Sequence, residues 1–539
     1  MSAVLCDPAS FAGISLFGGE ILSVEASLVT NHSASVPASV RFTQPSVEVT
    51  GASFCNVTVT YTHPGQGDRL AVEAWLPPAE KWNERLQAVG GGGFVAGRSE
   101  PFYGAMSGAV WDGYATIATD AGLGDSQDPT PWALLSPGNV NLYALQNLAS
   151  VSLDDAAIIG KSAIKSYYGR GPEYSYWNGC SQGGRQGLML AQRYPTQFDG
   201  IAVGAPGINW NDFFPAMLWP YRFMNALGEY PRGCELQALT AAAVATCDGL
   251  DGVTDGVIAD VDACRAAFDP FDAVGIPTAD CPEAPEVSHG AAAVINATWQ
   301  GPVSAEGARL WPGLNPGTNL AVGVAATDCT GAGGCEAVPL AIAAQWMSLF
   351  VARGPNLDLA NSSHAEFDWL AHQGRQRYNS IMGTQDPDLS AFRNAGGKII
   401  TFHGLVSLPS LPHLVSIPST EWRTRLLTSA QIDELLSSAG TVKYYNEVSQ
   451  LLPDTRDFFR HFDVPGLGHC TGGPSGEPIG LFDQLRAWVE NGTAPEQSPV
   501  KVTDPEGVVH NRIVCPYPEK SIFDKDCGAA TEARCWSCA

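Results

Sequence analysis

The chain has 539 residues, of which 45% are hydrophobic and 16% are charged, a composition typical of a globular protein with a large buried core. We therefore expect one large domain with an insertion, or two domains. The formal net charge of −25, with only 30 Lys and Arg residues, would repel nucleic acid and anionic membranes, so neither is expected as a partner.

The cysteine content indicates an oxidising compartment. Fourteen cysteines, with close spacings such as Cys329 and Cys335, are typical of a disulfide-bonded secreted protein, and a cytosolic origin is the alternative. Glycosylation sequons agree with secretion and occur at Asn31, Asn56, Asn296, Asn361 and Asn491. Residues 1–7 lack the basic start and apolar core of a signal peptide, so we expect that a leader has been removed. No run of 18 apolar residues predicts a membrane span.

Strand patterns begin near Cys55, which we pair with Cys6. The β-branched run at 55–61 and the apolar run at 70–76 flank a glycine-rich turn and predict a hairpin. Further strands alternate with helices, which favours an α/β sheet with crossover helices.

A strand at 86–89 runs into four glycines and Phe94, which predicts a backbone that approaches another group closely. One interpretation is an oxyanion hole, in which an amide of Gly92 or Gly93 would act with the amide that follows a nucleophile. A phosphate-binding loop is the rival interpretation. It is disfavoured because the Lys-Ser/Thr pair of a P-loop and the acidic residue of a dinucleotide site are missing at suitable spacing.

The sequence Gly-Cys-Ser-Gln-Gly at 179–183 lies between an aromatic strand pattern and a helical segment. This pattern predicts a nucleophile elbow with Ser181 at its apex and the Gln182 amide in the oxyanion hole. Far downstream, His469 is followed by Cys470, as Ser181 is preceded by Cys180. A disulfide between these cysteines would bring the serine and the histidine together.

The alternation of strands and helices stops after a buried strand at 198–206. Residues 209–397 show helical segments, such as 337–352, and no clear strand, which predicts a lid inserted above the carboxyl ends of the sheet. The sheet resumes at 398–404, where His403 falls at a strand end and could line the pocket, and 456–462 is the last predicted strand. A helix follows at 481–490, and Cys515, Cys527, Cys535 and Cys538 predict a disulfide-stapled tail.

Within the insertion, three carboxylates are spaced among glycines between Cys247 and Cys264, which we expect to pair. A calcium ion prefers several oxygen ligands, and this loop offers them from Asp248, Asp251 and Asp255 and from the carbonyls of Val253 and Val257. An acidic turn solvated at the surface is the alternative.

These motifs together resemble the tannase and feruloyl esterase family. The resemblance rests on Gly-Cys-Ser-x-Gly-Gly at 179–184, Gly-His-Cys at 468–470, the glycine loop at 90–94 and Cys-Asp-x-x-Asp-Gly-x-x-Asp-Gly at 247–256. It implies an α/β-hydrolase domain formed by 1–208 and 398–539, a lid at 209–397 that holds calcium, and a Cys180–Cys470 bridge. It also implies hydrolysis of esters of aromatic acids, with Ser181 as nucleophile and His469 as general base.

One position departs from the family pattern. The family carries its triad acid in a His-Gly-x-x-Asp arrangement, whereas this chain has Ser407 after His403 and Gly404. Candidate substitutes are Ser407 itself, Asp212 and Asp463. An acid that orients the imidazole can be worth about 10⁴ in turnover.

Three functions are therefore compared. The first is a secreted serine esterase that hydrolyses small aromatic esters, with no organic cofactor, as a monomer or homodimer. The second is a Ser-His enzyme that catalyses acyl transfer, lactone formation or rearrangement of a specialised aromatic compound. The third is a protein that only binds such a compound.

Overall fold

A nine-stranded mixed sheet organises the chain in the computed structural model, which describes residues 5–331, 334–355, 357–405 and 435–539. The strand order in this sheet is β1-β2-β3-β5-β4-β8-β9-β12-β13. The strands of the structure are β1 (Glu20–Val36), β2 (Val47–Thr62), β3 (Leu70–Leu76), β4 (Arg85–Val89), β5 (Ala115–Thr119), β6 (Leu134–Ser136), β7 (Asn139–Val140), β8 (Tyr174–Cys180), β9 (Gly200–Gly204), β10 (Thr327–Gly331), β11 (Gly334–Ala337), β12 (Lys398–Gly404), β13 (Phe459–Val464), β14 (Ser498–Thr503), β15 (Val509–Val514), β16 (Ser521–Phe523) and β17 (Trp536–Cys538).

Helices cover the sheet and form most of the regular secondary structure of the insertion. They are α1 (Ala38–Arg41), α2 (Glu100–Trp111), α3 (Thr130–Ala133), α4 (Leu142–Gln146), α5 (Ser152–Tyr168), α6 (Gln182–Arg193), α7 (Trp210–Leu227), α8 (Gly233–Cys247), α9 (Val261–Ala267), α10 (His289–Gln300), α11 (Ala341–Gln345), α12 (His364–Tyr378), α13 (Ser390–Asn394), α14 (Ser438–Leu451) and α15 (Leu481–Asn491). None of the helices in the described ranges is long and apolar enough to cross a membrane.

The parallel part of the sheet positions the site. From β5 to β13 the neighbouring strands run parallel, so β8, β9, β12 and β13 end at one edge. Ser181 directly follows β8, and His469 lies in the loop after β13. Short apolar strands buried on both faces are what a parallel sheet between helices requires, and β9 is entirely buried. The predicted α/β-hydrolase fold class is confirmed.

The antiparallel edge of the central sheet contains β1, a strand that the sequence did not predict. β1 pairs with β2 over most of its 17 residues, and β2 pairs with β3 as the predicted hairpin. The burial pattern of β1 is mostly exposed or half-buried, because the strand lies at the edge of the sheet. A strand without a buried face gives little hydrophobic alternation, which explains why it was missed.

The chain between β9 and β12 contributes no strand to the central sheet in its described residues. It has its own aromatic core, in which Trp346 stacks on Phe350 and packs edge-to-face on Trp210. The helical segment predicted at 337–352 is α11 followed by one π-helical turn, Trp346–Val351. The prediction that residues 209–397 contain no clear strand was wrong, because β10 and β11 form a small hairpin there.

All four disulfides suggested by the sequence are present, namely Cys6–Cys55, Cys180–Cys470, Cys247–Cys264 and Cys329–Cys335. Three further bridges join Cys234 to Cys281, Cys515 to Cys538 and Cys527 to Cys535. The last two staple the tail, which also contains two hairpins, β14 with β15 and β16 with β17. The strand predicted at 456–462 as the last corresponds to β13, which is the last strand of the central sheet but not of the chain.

Candidate active site

Ser181 stands at a sharp turn between β8 and α6. Its backbone has φ 60° and ψ −118°, a conformation that non-glycine residues rarely adopt. Glycines make the turn possible: a Cβ on Gly179 would lie 2.8 Å from the backbone of Gly183, and a Cβ on Gly183 would lie 2.9 Å from the carbonyl oxygen of Gly91. The Ser181 amide donates to the Gly204 carbonyl at 3.0 Å, which ties the elbow to β9. A strained, partly exposed serine at a strand-to-helix turn is the geometry of a nucleophile elbow.

The predicted bridge links the elbow to the histidine loop. Cys180 and Cys470 are disulfide-bonded, with their Cα atoms 5.9 Å apart. Ser181 and His469 are each bonded directly to one of these cysteines, so their Cα atoms lie about 3.8 Å from the bridged positions. His469 is buried, with 6% of its surface exposed. The chain therefore carries its candidate nucleophile and base on the two sides of one covalent link.

The glycine loop and α6 offer backbone amides beside the elbow. The Gly91 amide donates to Gln186 Oε1 at 3.0 Å, and the Gly92 amide donates to the Val95 carbonyl at 3.1 Å. Within the described residues, the Gly93 and Gln182 amides have no acceptor. The Gly92 amide is thus already hydrogen-bonded within the loop. Of the two predicted glycines, Gly93 is therefore the candidate oxyanion donor.

Two predicted substitutes for the triad acid have other partners. Asp212 lies in the first turn of α7, where its Oδ1 accepts from Arg375 Nε at 2.5 Å. Asp463 Oδ1 lies 3.3 Å from His461 Nε2, two residues back on β13. The third candidate, Ser407, lies outside the described residues.

A small cavity lies between the insertion and the segment that follows β9. The Gly207 amide donates to the Ser181 carbonyl at 3.1 Å, and a Cβ on Gly207 would lie 3.5 Å from the ring of Phe213. The cavity is lined by Phe213, Trp311, Ile208, Asn209, Ser437 and, as the sequence suggested, His403. Its aromatic walls are contributed by α7 and by a loop of the insertion. No local sequence signal distinguishes Phe213 and Trp311 from ordinary core aromatics.

Arg185 and Gln186 support the elbow, and the sequence did not predict this role for them. Arg185 is fully buried, and its Nε donates to Gln182 Oε1 at 2.7 Å while its Nη atoms donate to the Leu148 and Ala149 carbonyls at 2.9 Å. Burial, together with the nearby Arg193, lowers the pKa of Arg185 to about 9. Among the described residues no carboxylate forms an ion pair with it, so the elbow carries a buried positive charge.

The acidic loop in the insertion folds around its own amides. Asp248 accepts hydrogen bonds from the amides of Asp255, Gly256 and Val257, and Asp251 accepts from the Val253 amide. Cys247–Cys264 closes the loop as predicted. The described residues contain no group of three His, Cys, Asp or Glu side chains placed to hold a metal ion. The calcium site therefore stays a prediction.

Asp255 is the residue of this loop that fits a cation ligand. Its side chain is completely buried, and neither carboxylate oxygen has a hydrogen bond of normal geometry, although Arg512 Nη1 lies 2.9 Å from Oδ2. Burial, followed by the nearby Asp251 and Asp248, raises the pKa of Asp255 to about 6 against the opposing effect of Arg512. Two carboxylates share one guanidinium here, because Arg512 also pairs with Asp251 at 2.5 Å.

The sheet topology and the elbow define a hydrolase of the α/β class. The sequence family described as "Tannase and feruloyl esterase" matches residues 55–539, and the chain belongs to this family. It is 36% identical to a probable feruloyl esterase of Arthroderma benhamiae over 509 residues, which cover 93% of this chain and 88% of that protein. It is 30% identical to a mono(2-hydroxyethyl) terephthalate hydrolase of Piscinibacter sakaiensis, with 86% and 80% covered.

A solved structure agrees with the fold over the full chain. The tannin acyl hydrolase of Aspergillus niger superimposes with a TM-score of 0.83 at 26% identity, covering 99% of this chain and 95% of that one. The resemblance seen in the sequence motifs is thereby confirmed at the level of family and fold.

Proposed function

We propose that this protein is a secreted serine carboxylic ester hydrolase that cleaves esters of aromatic acids through an acyl-enzyme. The observation that carries the proposal is the strained Ser181 joined through Cys180–Cys470 to the loop of His469. Relatives described as feruloyl esterase and tannase support an aromatic ester as substrate. The aromatic ring of Phe213, which lies near Gly207 next to the elbow, supports the same class of acid.

In the proposed reaction, His469 accepts the Ser181 hydroxyl proton as Oγ attacks the ester carbonyl carbon. The carbonyl oxygen becomes an oxyanion, to which the Gln182 and Gly93 amides donate. When the tetrahedral intermediate collapses, the bond to the alcohol breaks and His469 gives the alcohol its proton. Water then attacks the acyl-enzyme with His469 as base, which releases the acid and restores the serine.

A direct test compares the wild type with Ser181→Ala and His469→Ala on methyl gallate and methyl ferulate. We expect each variant to lose at least about 10⁴ of kcat, the range found when a triad member is removed. His372→Ala is a matched control, because His372 is exposed on α12. An organophosphonate probe should label Ser181, as shown by peptide mass spectrometry. Ester turnover that survives in Ser181→Ala would refute the acyl-enzyme.

Acyl transfer is the second candidate, and Ser407 at the expected acid position favours it. In this reaction an alcohol or phenol takes the place of water: its oxygen attacks the acyl-enzyme carbonyl as His469 accepts its proton, and Ser181 leaves with a proton returned by His469. Adding ethanol or a phenol to a methyl ferulate assay separates the two functions, because the ester of either acceptor differs from the substrate. Hydrolysis predicts ferulic acid as the main product, whereas acyl transfer predicts the new ester.

A structural calcium ion in the insertion is part of the proposal. Asp248, Asp251 and Asp255 would supply carboxylate oxygens, and Val253 and Val257 would supply carbonyl oxygens. The buried carboxylate of Asp255 supports this assignment, because neither of its oxygens accepts a hydrogen bond of normal geometry from the described residues and Oδ2 lies beside Arg512. The ion would neutralise the charge left over after the pairing with Arg512, and so hold the loop that Cys247–Cys264 closes.

Secretion is supported by seven disulfides and by the position of the sequons. Asn31, Asn361 and Asn491 are exposed, whereas Asn56 and Asn296 are half-buried. We expect the three exposed sites to carry glycans in a eukaryotic host. Expression in a eukaryotic host with a secretion leader, followed by peptide N-glycosidase digestion and mass spectrometry, tests this expectation, and an unmodified Asn31, Asn361 and Asn491 would contradict it.

A further inference from the structure

One glutamine outside both catalytic motifs clamps the glycine loop. The amide of Phe94 donates to Gln127 Oε1 at 3.1 Å, and Gln127 Nε2 donates to the Gly92 carbonyl at 3.0 Å. These partners fix the orientation of the side-chain amide, because a backbone N–H can only donate and a carbonyl can only accept. Gln127 therefore holds the peptide units on both sides of Gly93.

This clamp determines where the Gly93 amide points. The peptide between Gly92 and Gly93 is trans, so its carbonyl and its N–H point in opposite directions. The Gly92 carbonyl accepts from Gln127 Nε2 and from the Val95 amide, the latter at 3.0 Å. The Gly93 N–H is consequently directed away from Gln127, and within the described residues it meets no acceptor.

The space around Gly93 is shaped by the same contact. Gly93 has φ 58°, a value that favours glycine, and a Cβ there would lie 2.1 Å from Gln127 Oε1. The next turn of chain anchors the clamp to the insertion, since Asp128 Oδ1 accepts from Gln345 Nε2 at 3.2 Å. Trp132 packs against Phe94 and Phe350, with ring centroids 6.1 and 5.6 Å apart.

We propose that Gln127 is a positioning residue that presents the Gly93 N–H to the oxyanion formed during ester cleavage. The inference rests on the proposed serine esterase function. A donor held in place before the reaction stabilises the transition state more than one that must first be oriented. Gln127 thus acts on turnover through Gly93 and touches neither the substrate nor Ser181.

Gln127→Glu is the sharpest variant because it preserves size and shape. A carboxylate still accepts from the Phe94 amide, but it repels the Gly92 carbonyl and attracts the Gly93 N–H. The peptide between these glycines is then expected to turn over, with its N–H facing residue 127. Turnover should fall about 10- to 100-fold, a part of the loss seen when an oxyanion donor is removed. KM and the melting temperature should change little.

The experiment measures kcat and KM of the wild type, Gln127→Glu and Gln127→Ala on methyl ferulate, together with the rate at which a p-nitrophenyl phosphonate modifies Ser181. Gln484→Glu is the matched control, because half-buried Gln484 also donates its side-chain amide to a backbone carbonyl, that of Gln497, at 2.8 Å. A lower kcat and slower phosphonylation in both Gln127 variants, with an unchanged control, support the inference.

The outcomes separate this inference from the function on which it rests. If the wild type turns over ester and Gln127→Glu matches it in kcat, the positioning role is refuted and the esterase stands. If the wild type is phosphonylated at Ser181 without ester turnover, the esterase proposal fails, and the phosphonylation rates of the variants still decide the role of Gln127. A wild type that is neither phosphonylated nor active overturns both. A loss of melting temperature with unchanged kcat would show that Gln127 is only structural.

Discussion

Cys180 and Cys470 are 290 residues apart in the chain, and their disulfide joins the end of β8 to the loop after β13. The residues beside this bridge are the proposed nucleophile and base. The parallel sheet already brings the ends of these strands to one edge, and the bridge removes the remaining freedom between them. We infer that the bond serves reactive geometry as well as stability.

Replacing Cys180 and Cys470 together by alanine should lower kcat/KM for methyl ferulate about 100-fold or more, because a misplacement of about 1 Å between reacting groups has that effect. In the loop-entropy treatment the bridge is worth about 6 kcal/mol and the Cys6–Cys55 bridge, with a separation of 49, about 4 kcal/mol. The Cys6→Ala/Cys55→Ala variant is therefore a control of similar stability. Wild-type kcat/KM in the Cys180 and Cys470 variant, measured below its melting temperature, would contradict the geometric role.

The bridge and the elbow were predictable because their signals are local. A serine between glycines after a strand, and a cysteine beside each reactive residue, identify the motif without knowledge of the fold. The α/β sheet with crossover helices follows from the alternation of strands and helices. For the same reason β1 was missed, since an edge strand with exposed faces carries no such pattern.

The details of the site could not be read from the sequence, because they depend on contacts between distant residues. Gly92 and Gly93 look equivalent in a run of four glycines, and only the hydrogen bonds to Val95 and Gln127 distinguish them. Asp212 looked available until Arg375, 163 residues away, was found to bind it. Contacts of this kind between distant residues produce no periodic pattern in the sequence.

Arg185→Met should destabilise the protein by about 3 kcal/mol or more, because the Leu148 and Ala149 carbonyls and the Gln182 side chain all lose a donor in a buried site. Arg193→Met is the matched control on the same helix, and we expect an effect below about 1 kcal/mol since Arg193 is exposed. Urea denaturation measures both values. An Arg185→Met variant as stable as Arg193→Met would show that the buried guanidinium does not hold the elbow.

Asp155 should make stability depend on pH between about 4 and 6. Burial raises the pKa of the Asp155 carboxyl to about 6, and the nearby Asp154 raises this pKa as well. Two groups oppose the increase: His63, whose Nε2 lies 3.1 Å away, and the Tyr61 hydroxyl, which donates a hydrogen bond to the carboxylate. The folded state therefore keeps a proton that the unfolded chain releases near pH 4, so this contribution is complete below about pH 4 and lost as pH rises through about 6.

The second carboxylate at His63, Asp68, has its pKa lowered by hydrogen bonds that outweigh burial, so its contribution disappears only below about pH 4. Asp155→Asn should therefore flatten the decline of up to about 3 kcal/mol between pH 4 and 6. Chemical denaturation across this range measures it, with Asp483→Asn as the control, because Asp483 is exposed in the first turn of α15. A wild-type stability that does not fall over this interval would contradict the assignment.

Chelation should affect the proposed calcium loop more than catalysis, because the loop lies in the insertion and the reaction uses residues of the elbow. EDTA should lower the melting temperature of the wild type while the initial rate on methyl ferulate stays nearly constant, and added calcium should restore it. Asp255→Asn should remove the response, since it replaces a buried ligand, whereas Asp328→Asn should keep it because Asp328 is exposed and its carboxylate accepts from Thr330. A melting curve that is indifferent to both EDTA and calcium would refute the ion.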